Sequence, residues 1–268
     1  MATRELTYDG AVVLITGGAR GVGAGISAVF RELGAQVVVC GRTAPDGAAA
    51  DFVSCDVRDP AQITAMMEQI LECWGRLDVV VNNAGGAPHA DAGTASPRFH
   101  DKIVQLNLLA PLHVAQQANE VMQRQDAGGS IVMVGSVSGR RSSPGTAAYG
   151  AAKAGIDNLT ASLAVEWAPK VRVNALAVGM VRTEQSHLHY GGADGVEAVG
   201  ATVPLGRLAE PAEIGRCAAF LASPLASYVT GASLLVHGGG ERPAFLAAAD
   251  ANGAGVPDRD IRRENAHG

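Results

Sequence analysis

The sequence predicts an α/β fold: one domain on a doubly wound parallel sheet of about seven strands, with helices on both faces. Three observations predict it. Short, continuous apolar runs recur along the chain, as strands buried on both faces require. Between them lie segments whose apolar residues repeat at helical spacing. The first apolar run passes directly into a Gly-rich turn and a helix start.

The size and composition suit that fold. The chain has 268 residues, is 47% hydrophobic and holds 34 glycines, enough for one large core with tight strand-to-helix turns. Its formal charge of −5 leaves no general basic surface for nucleic acid. No apolar run is long enough to span a bilayer, and the polar start MATRELTYDG lacks a signal-peptide core. The four cysteines show no metal-ligand spacing; they read as reduced thiols, a cytoplasmic pattern, and no metal site is expected.

Residues 11–16, AVVLIT, form the first strand. The turn TGGARGVG follows, and Ile26, Val29, Phe30 and Leu33 then mark a helix that Gly34 ends. Free N–H groups at that helix start suit a pyrophosphate, and Gly17, Gly21 and Gly23 allow close approach. This is a Rossmann-like dinucleotide signal. The second strand, 36–40, ends in Gly41-Arg42-Thr43 with no acid at its tip. Such folds use an acid there for a ribose 2′-hydroxyl and an Arg for a 2′-phosphate. Arg42, with Arg20 in the Gly-rich turn, argues for NADP(H) over NAD(H). In the alternative both arginines are solvated and Asp46 folds back onto the ribose.

Residues 52–55 are a short third strand, followed by Asp56 and Val57. Asp59-Pro60 opens a helix whose stripe is Ile63, Met66, Met67, Ile70, Leu71 and Trp74, stopped by Gly75. Residues 77–81 form the fourth strand, running into Asn82-Asn83-Ala84-Gly85-Gly86, whose small residues admit a ligand to the backbone. His89, in the loop after it, reads as a surface residue. One helix is expected over about 99–123. It contains Pro111, whose missing N–H frees the carbonyl of Asn107.

Residues 131–134 are the fifth strand and lead to Ser136. An Ala-rich helix then carries Tyr149 and Lys153 on one face, one turn apart. An ammonium beside a phenol lowers the phenol pKa by about 1–3 units. With the Ser136 hydroxyl for a substrate oxygen, the set fits proton transfer to or from an alcohol or carbonyl. The sixth strand is 171–177. Residues 184–206 read as a mobile loop or short helices where ligands bind. Glu210-Pro211 opens the last helix and 233–236 is the last strand. The domain ends near 240, and the tail 241–268 is expected to be partly disordered.

On these residues the chain resembles the short-chain dehydrogenase/reductase family, over about residues 9–240. The motifs are TGxxxGxG at 16–23, NNAG at 82–85, YxxxK at 149–153 with Ser136 upstream, VNA at 173–175 and the terminal strand at 236–239. The resemblance implies an Asn107, Ser136, Tyr149, Lys153 tetrad. Tyr149 would be the general acid/base, Lys153 would lower its pKa and hold the nicotinamide ribose, Ser136 would position the substrate oxygen, and Asn107 would anchor a relay water. It also implies cofactor contacts along the Gly-rich turn, Val22 included, at Asp56 and Val57 near adenine, and at Asn83, Ala84 and Gly85. Gly179, Val181 and Thr183 would lie by the nicotinamide. Two departures stand out: Val178-Gly179 where the family has Pro-Gly, and His237 where it has Asp in the last strand.

The function so implied is an NADP(H)-dependent ketoreductase for a secondary alcohol and its ketone, a homotetramer pairing the helices at 99–123 and 149–168 and the final strands. A non-catalytic dinucleotide-binding sensor or scaffold is the alternative, and a methyltransferase would need no Tyr/Lys pair. For the substrate, the sequence suggests an apolar ketone, steroid-like or of 3-oxoacyl type. Arg140 and Arg141 would either meet an acidic group on it or stay solvated. His187, His189 and Tyr190 would either line its pocket or face water.

Overall fold

Val12 and Leu14 pack into one core layer, and Val13 and Ile15 into the other. That alternation places the first strand, β1 (Val12–Thr16), at the centre of a sheet covered on both faces. The computed structural model describes residues 6–44, 51–241 and 243. Asp46 and the tail from 244 onward lie outside them, so the expectations made for both do too.

Seven parallel strands form one sheet in the order β3-β2-β1-β4-β5-β6-β7. The others are β2 (Gln36–Gly41), β3 (Phe52–Ser54), β4 (Val79–Asn82), β5 (Gly129–Ser136), β6 (Val171–Val178) and β7 (Ser233–Val236). The order reverses at β1, between β2 and β4. A crevice opens there at the strands' C-terminal ends, where ligands bind in such sheets.

The helices follow their punctuation. Helix α1 (Gly21–Glu32) starts from the Gly-rich turn. In α2 (Pro60–Trp74), Asp59 caps the start by accepting from the Ala61 N–H, and Gly75, at φ 69°, ends it. The single helix expected over 99–123 is instead three pieces: α3 (Pro97–Val104), a wide turn Gln105–Leu109 and α4 (Ala110–Arg124). Pro111 is the cause. It has no N–H for the Asn107 carbonyl, and the Ala110 N–H reaches back five residues to Gln105. Helix α5 (Ala147–Trp167) carries Tyr149 and Lys153 in its first two turns. Residues 184–206 hold two short helices, α6 (Ser186–Tyr190) and α7 (Ala193–Thr202). Helix α8 (Pro211–Ala222) starts with a capping box between Glu210 and Glu213.

Helices α2, α4 and α5 cover one face of the sheet, and α1 and α8 the other. Among the described residues, no helix is long and apolar enough to cross a membrane.

Candidate active site

Thr16, at the tip of β1, ties the two central motifs together. Its hydroxyl accepts from the N–H groups of Asn83 (3.0 Å) and Ala84 (2.9 Å). The Asn83 amide donates back to the carbonyls of Thr16 (3.0 Å) and Gly17 (3.2 Å). The loop after β4 is thereby fixed against the Gly-rich turn. Gly17 and Gly21 hold φ values of 65° and 52° there, which glycine adopts readily. A Cβ on Gly23 would stand 2.2 Å from the Gly17 carbonyl oxygen, so only hydrogen fits.

A cavity of about 750 Å³ runs along these strand ends. Gly17, Arg20, Gly21, Val22 and Gly23 line it, as do Arg42, Asp56 and Val57. Asn83, Ala84, Gly85, Ser136, Tyr149, Lys153, Gly179, Val181 and Thr183 complete the wall. Every cofactor position read from the sequence thus faces one space. Asn107 does not line it. It is fully buried behind the wall, where its amide oxygen accepts from the Gly86 N–H (2.8 Å). Its amide nitrogen donates to the carbonyls of Gly86 and Ile103, both at 2.9 Å. The side chain therefore clamps the loop that forms the cavity floor. Asn107→Leu is expected to remove these three hydrogen bonds and destabilise the protein by about 1–3 kcal/mol in all, because Gly86 is exposed and water can replace its lost partners. Urea unfolding measures this; a change below about 0.5 kcal/mol would mean the clamp carries no load.

At the β5 end, Ser136 and Tyr149 line the cavity together, close enough for the Ser136 hydroxyl to act on the phenol. The Lys153 ammonium, only 4% exposed, donates to the Val134 carbonyl at 2.7 Å and lies 5.6 Å from the centre of the Tyr149 ring. Here the sequence expectation is corrected. Burial pushes the Tyr149 phenol up from its ordinary value, against the smaller lowering effect of the Ser136 hydroxyl, and Lys153 does not bring it down. Burial also brings Lys153 down to about 8. The reason is direction: the ammonium is aimed at the Val134 carbonyl rather than at the phenol oxygen.

The residues fit a dinucleotide. The cradle at Gly17, Gly21 and Gly23 is open to a ligand. The Gly21 N–H, at the start of α1, already holds an anionic group, the Glu184 carboxylate at 3.1 Å. That oxygen occupies the kind of position a phosphate oxygen takes at a helix N-terminus. Thr43 and Arg58 also line the cavity and were missed in the sequence, whereas Glu184 and Gln185 line it from the start of the 184–206 segment expected to meet ligands. Only Arg58 carried a signal, its place two residues after Asp56.

Other candidates are structural. Arg140 pairs with Asp157 at 3.0 Å, and Asp157 accepts from the Ser233 hydroxyl at 2.7 Å, so the group stitches α5 to β7. Arg141 pairs with Glu241 at 2.7 Å. Neither arginine lines the cavity. His187 is exposed, and the His189 side chain lies outside the described residues. Tyr190 is partly buried and close enough to Tyr149 for its charge to act there. The two family departures turn out to be neighbours: a Cβ on Gly179 would stand 2.8 Å from the His237 Cβ.

A family model described as enoyl-(acyl carrier protein) reductase matches residues 17–241. The chain belongs to the short-chain dehydrogenase/reductase family. It is 37% identical over 257 residues to the oxidoreductase UcpA of Escherichia coli O157:H7, covering 87% of this chain and 95% of that one. It is 35% identical over 242 residues to a 3alpha-hydroxysteroid dehydrogenase of Mediterraneibacter gnavus, covering 85% and 95%. Ligand-free aldohexose dehydrogenase of Thermoplasma acidophilum superposes with a TM-score of 0.82 at 30% identity, covering 87% of this chain and 94% of that one. This short-chain dehydrogenase/reductase is an oxidoreductase, and its family works with NAD(P)(H).

Proposed function

We propose that this enzyme is an NADP(H)-dependent ketoreductase interconverting a secondary alcohol and its ketone. The observation that carries the reading is that Ser136, Tyr149 and Lys153 line the same cavity as the glycine cradle. Arg20, Arg42 and Arg58 at the other end support NADP(H) over NAD(H). The hydroxysteroid and aldohexose named for two relatives both carry CH–OH groups, in agreement with the alcohol class.

When bound, NADP(H) supplies or accepts the hydride. In this reading Ser136 holds the substrate oxygen by a hydrogen bond. Tyr149 gives that oxygen its proton in reduction and takes it back in oxidation. Lys153 keeps a positive charge below the phenol, and Asn107 holds the floor still. With its pKa raised, the phenol is protonated at neutral pH, which favours reduction. The rate of reduction is expected to hold through neutral pH and fall when the phenol ionises, and the rate of oxidation to rise with pH. Opposite slopes would contradict Tyr149 as the acid. NADPH that binds but is never oxidised, across a broad ketone panel, would favour a sensor or scaffold.

Lys153 adds a stability signature. Its folded pKa of about 8 lies below its ordinary 10.5. Below pH 8 it is charged in both states, and burial of the charge opposes folding. From pH 8 upward the unfolded chain holds the proton that the folded chain has released, so stability rises. Above pH 10 Tyr149 opposes this, because its raised pKa keeps the proton in the folded state while the unfolded phenol loses it. Between these limits Lys153 itself contributes roughly 2–3 kcal/mol, at about 1.4 kcal/mol per unit, and the Cys40 and Cys217 thiols, whose raised pKa keeps their protons in the folded state, offset part of it. Lys153→Met is expected to lack the rise in urea unfolding; an equal rise would place the lysine elsewhere.

Exposed Leu234 and Leu235 on β7 and Val165 on α5 support a homotetramer. The four cysteines are free thiols, which accords with a cytoplasmic enzyme.

A further inference from the structure

Glu184, between β6 and α6, lines the cavity and plays no part in the proton chemistry. Its Oε1 accepts from the Gly21 N–H at 3.1 Å. Gly21 is the first residue of α1, so the carboxylate sits at the positive end of that helix. The contact is braced from both sides. Before Glu184, Val181 bridges to Ala209, and the Arg182 N–H donates to the Ala209 carbonyl at 2.8 Å. After it, the buried Ser186 closes a turn. Its hydroxyl accepts from the Thr183 N–H at 2.8 Å, and its N–H donates to the Thr183 carbonyl at 3.1 Å. The Thr183 methyl approaches Gly21 as well, 3.6 Å from where a Cβ would stand.

Among the described residues Glu184 has no ion-pair partner, so the protein leaves its charge uncompensated. A pyrophosphate seated at the start of α1 draws on the same N–H donors and brings its own negative charge to the same place. Two anions there repel each other and compete for one donor. Dinucleotide binding must therefore move the Glu184 side chain off Gly21. The apparent affinity is then the intrinsic affinity multiplied by the fraction of molecules whose donor is free.

Resting on the dinucleotide reading of the cavity, we infer that Glu184 sets the cofactor affinity as an intramolecular competitor for the pyrophosphate. The phosphates it opposes are common to both nicotinamide cofactors. It therefore lowers the affinity for each by the same factor and leaves the choice between them to the arginine end of the cavity.

The test needs no turnover. NADPH and NADH are titrated calorimetrically into wild type, Glu184→Gln and Glu184→Ala. Glutamine keeps an oxygen for the Gly21 N–H and removes the charge; alanine removes both. Glu184 is exposed, so the fold should survive either change. Both variants are expected to bind each cofactor about three- to tenfold more tightly than wild type, with the ratio of the two affinities held within about twofold. The inference stands on tighter binding of both cofactors in at least one variant. It falls if neither variant binds them more tightly than wild type, because the carboxylate would then be a bystander or a support for Thr183. Tightening confined to NADPH would overturn it too, since Glu184 would then act on the 2′-phosphate. A wild type that prefers NADH would contradict the NADP(H) reading and leave this inference standing. A wild type that binds neither cofactor would sink the dinucleotide reading, and this inference with it.

Discussion

Gly23→Ala is expected to weaken dinucleotide binding about tenfold or more. The new methyl carbon would stand 2.2 Å from the Gly17 carbonyl oxygen and 2.6 Å from the Asn83 amide nitrogen. Neither neighbour is a loose side-chain end. Gly17 sits in the tight turn after β1, and the Asn83 amide is bonded to the carbonyls of Thr16 and Gly17. The turn must therefore move, and overpacking of this kind costs about 1–3 kcal/mol. The displaced atoms are those that form the cradle, so NADPH affinity should fall about tenfold or more, since about 1.4 kcal/mol of lost contact is a factor of ten. Gly192→Ala is the control, because nothing lies within 4 Å of a Cβ there. Fluorescence titration of NADPH decides between them. Equal affinity in the two variants would show that the cofactor does not rest on this turn.

Tyr149→Phe should leave binding intact and remove the chemistry. The ring remains, and so does its packing at the start of α5. The hydroxyl beside Ser136 in the cavity is lost, and with it the proton that the substrate oxygen must receive. A positioned acid or base of this kind contributes about 10²–10⁴ in rate. Turnover should fall by that much, with NADPH affinity within about twofold of wild type. Ser136→Ala should fall less, because water can fill the place of a hydroxyl that only orients the substrate.

Much of this was legible in the residues. The strands declared themselves through unbroken apolar runs, because a strand buried on both faces needs a hydrophobic residue at every position. Asp59-Pro60 and Gly75 marked the ends of α2 through backbone chemistry alone. The cavity wall was legible because glycine turns, NNAG and YxxxK sit at fixed places on strand ends and helix starts. What escaped depended on where side chains point. Pro111 announced a freed carbonyl, but the change to a wide turn over 105–109 follows from how the chain absorbs the missing N–H. The spacing of Tyr149 and Lys153 gave their shared face, yet not that the ammonium turns to Val134 or that burial would outweigh charge at the phenol. Arg140 beside Ser136 looked available to a substrate until Asp157, far along the next helix, was found to hold it. Arg58 had no pattern to betray it, only an acid two residues earlier.

Single-turnover mixing of wild type and Tyr149→Phe with stoichiometric NADPH and a ketone panel tests the central claim most directly. Cofactor binding is read by fluorescence, and oxidation by loss of nicotinamide absorbance. Both proteins are expected to bind NADPH alike, and only wild type to oxidise it, with an equal yield of alcohol from at least one ketone. Oxidation at the wild-type rate in the Phe variant would contradict the account, as would failure of both proteins to bind the cofactor.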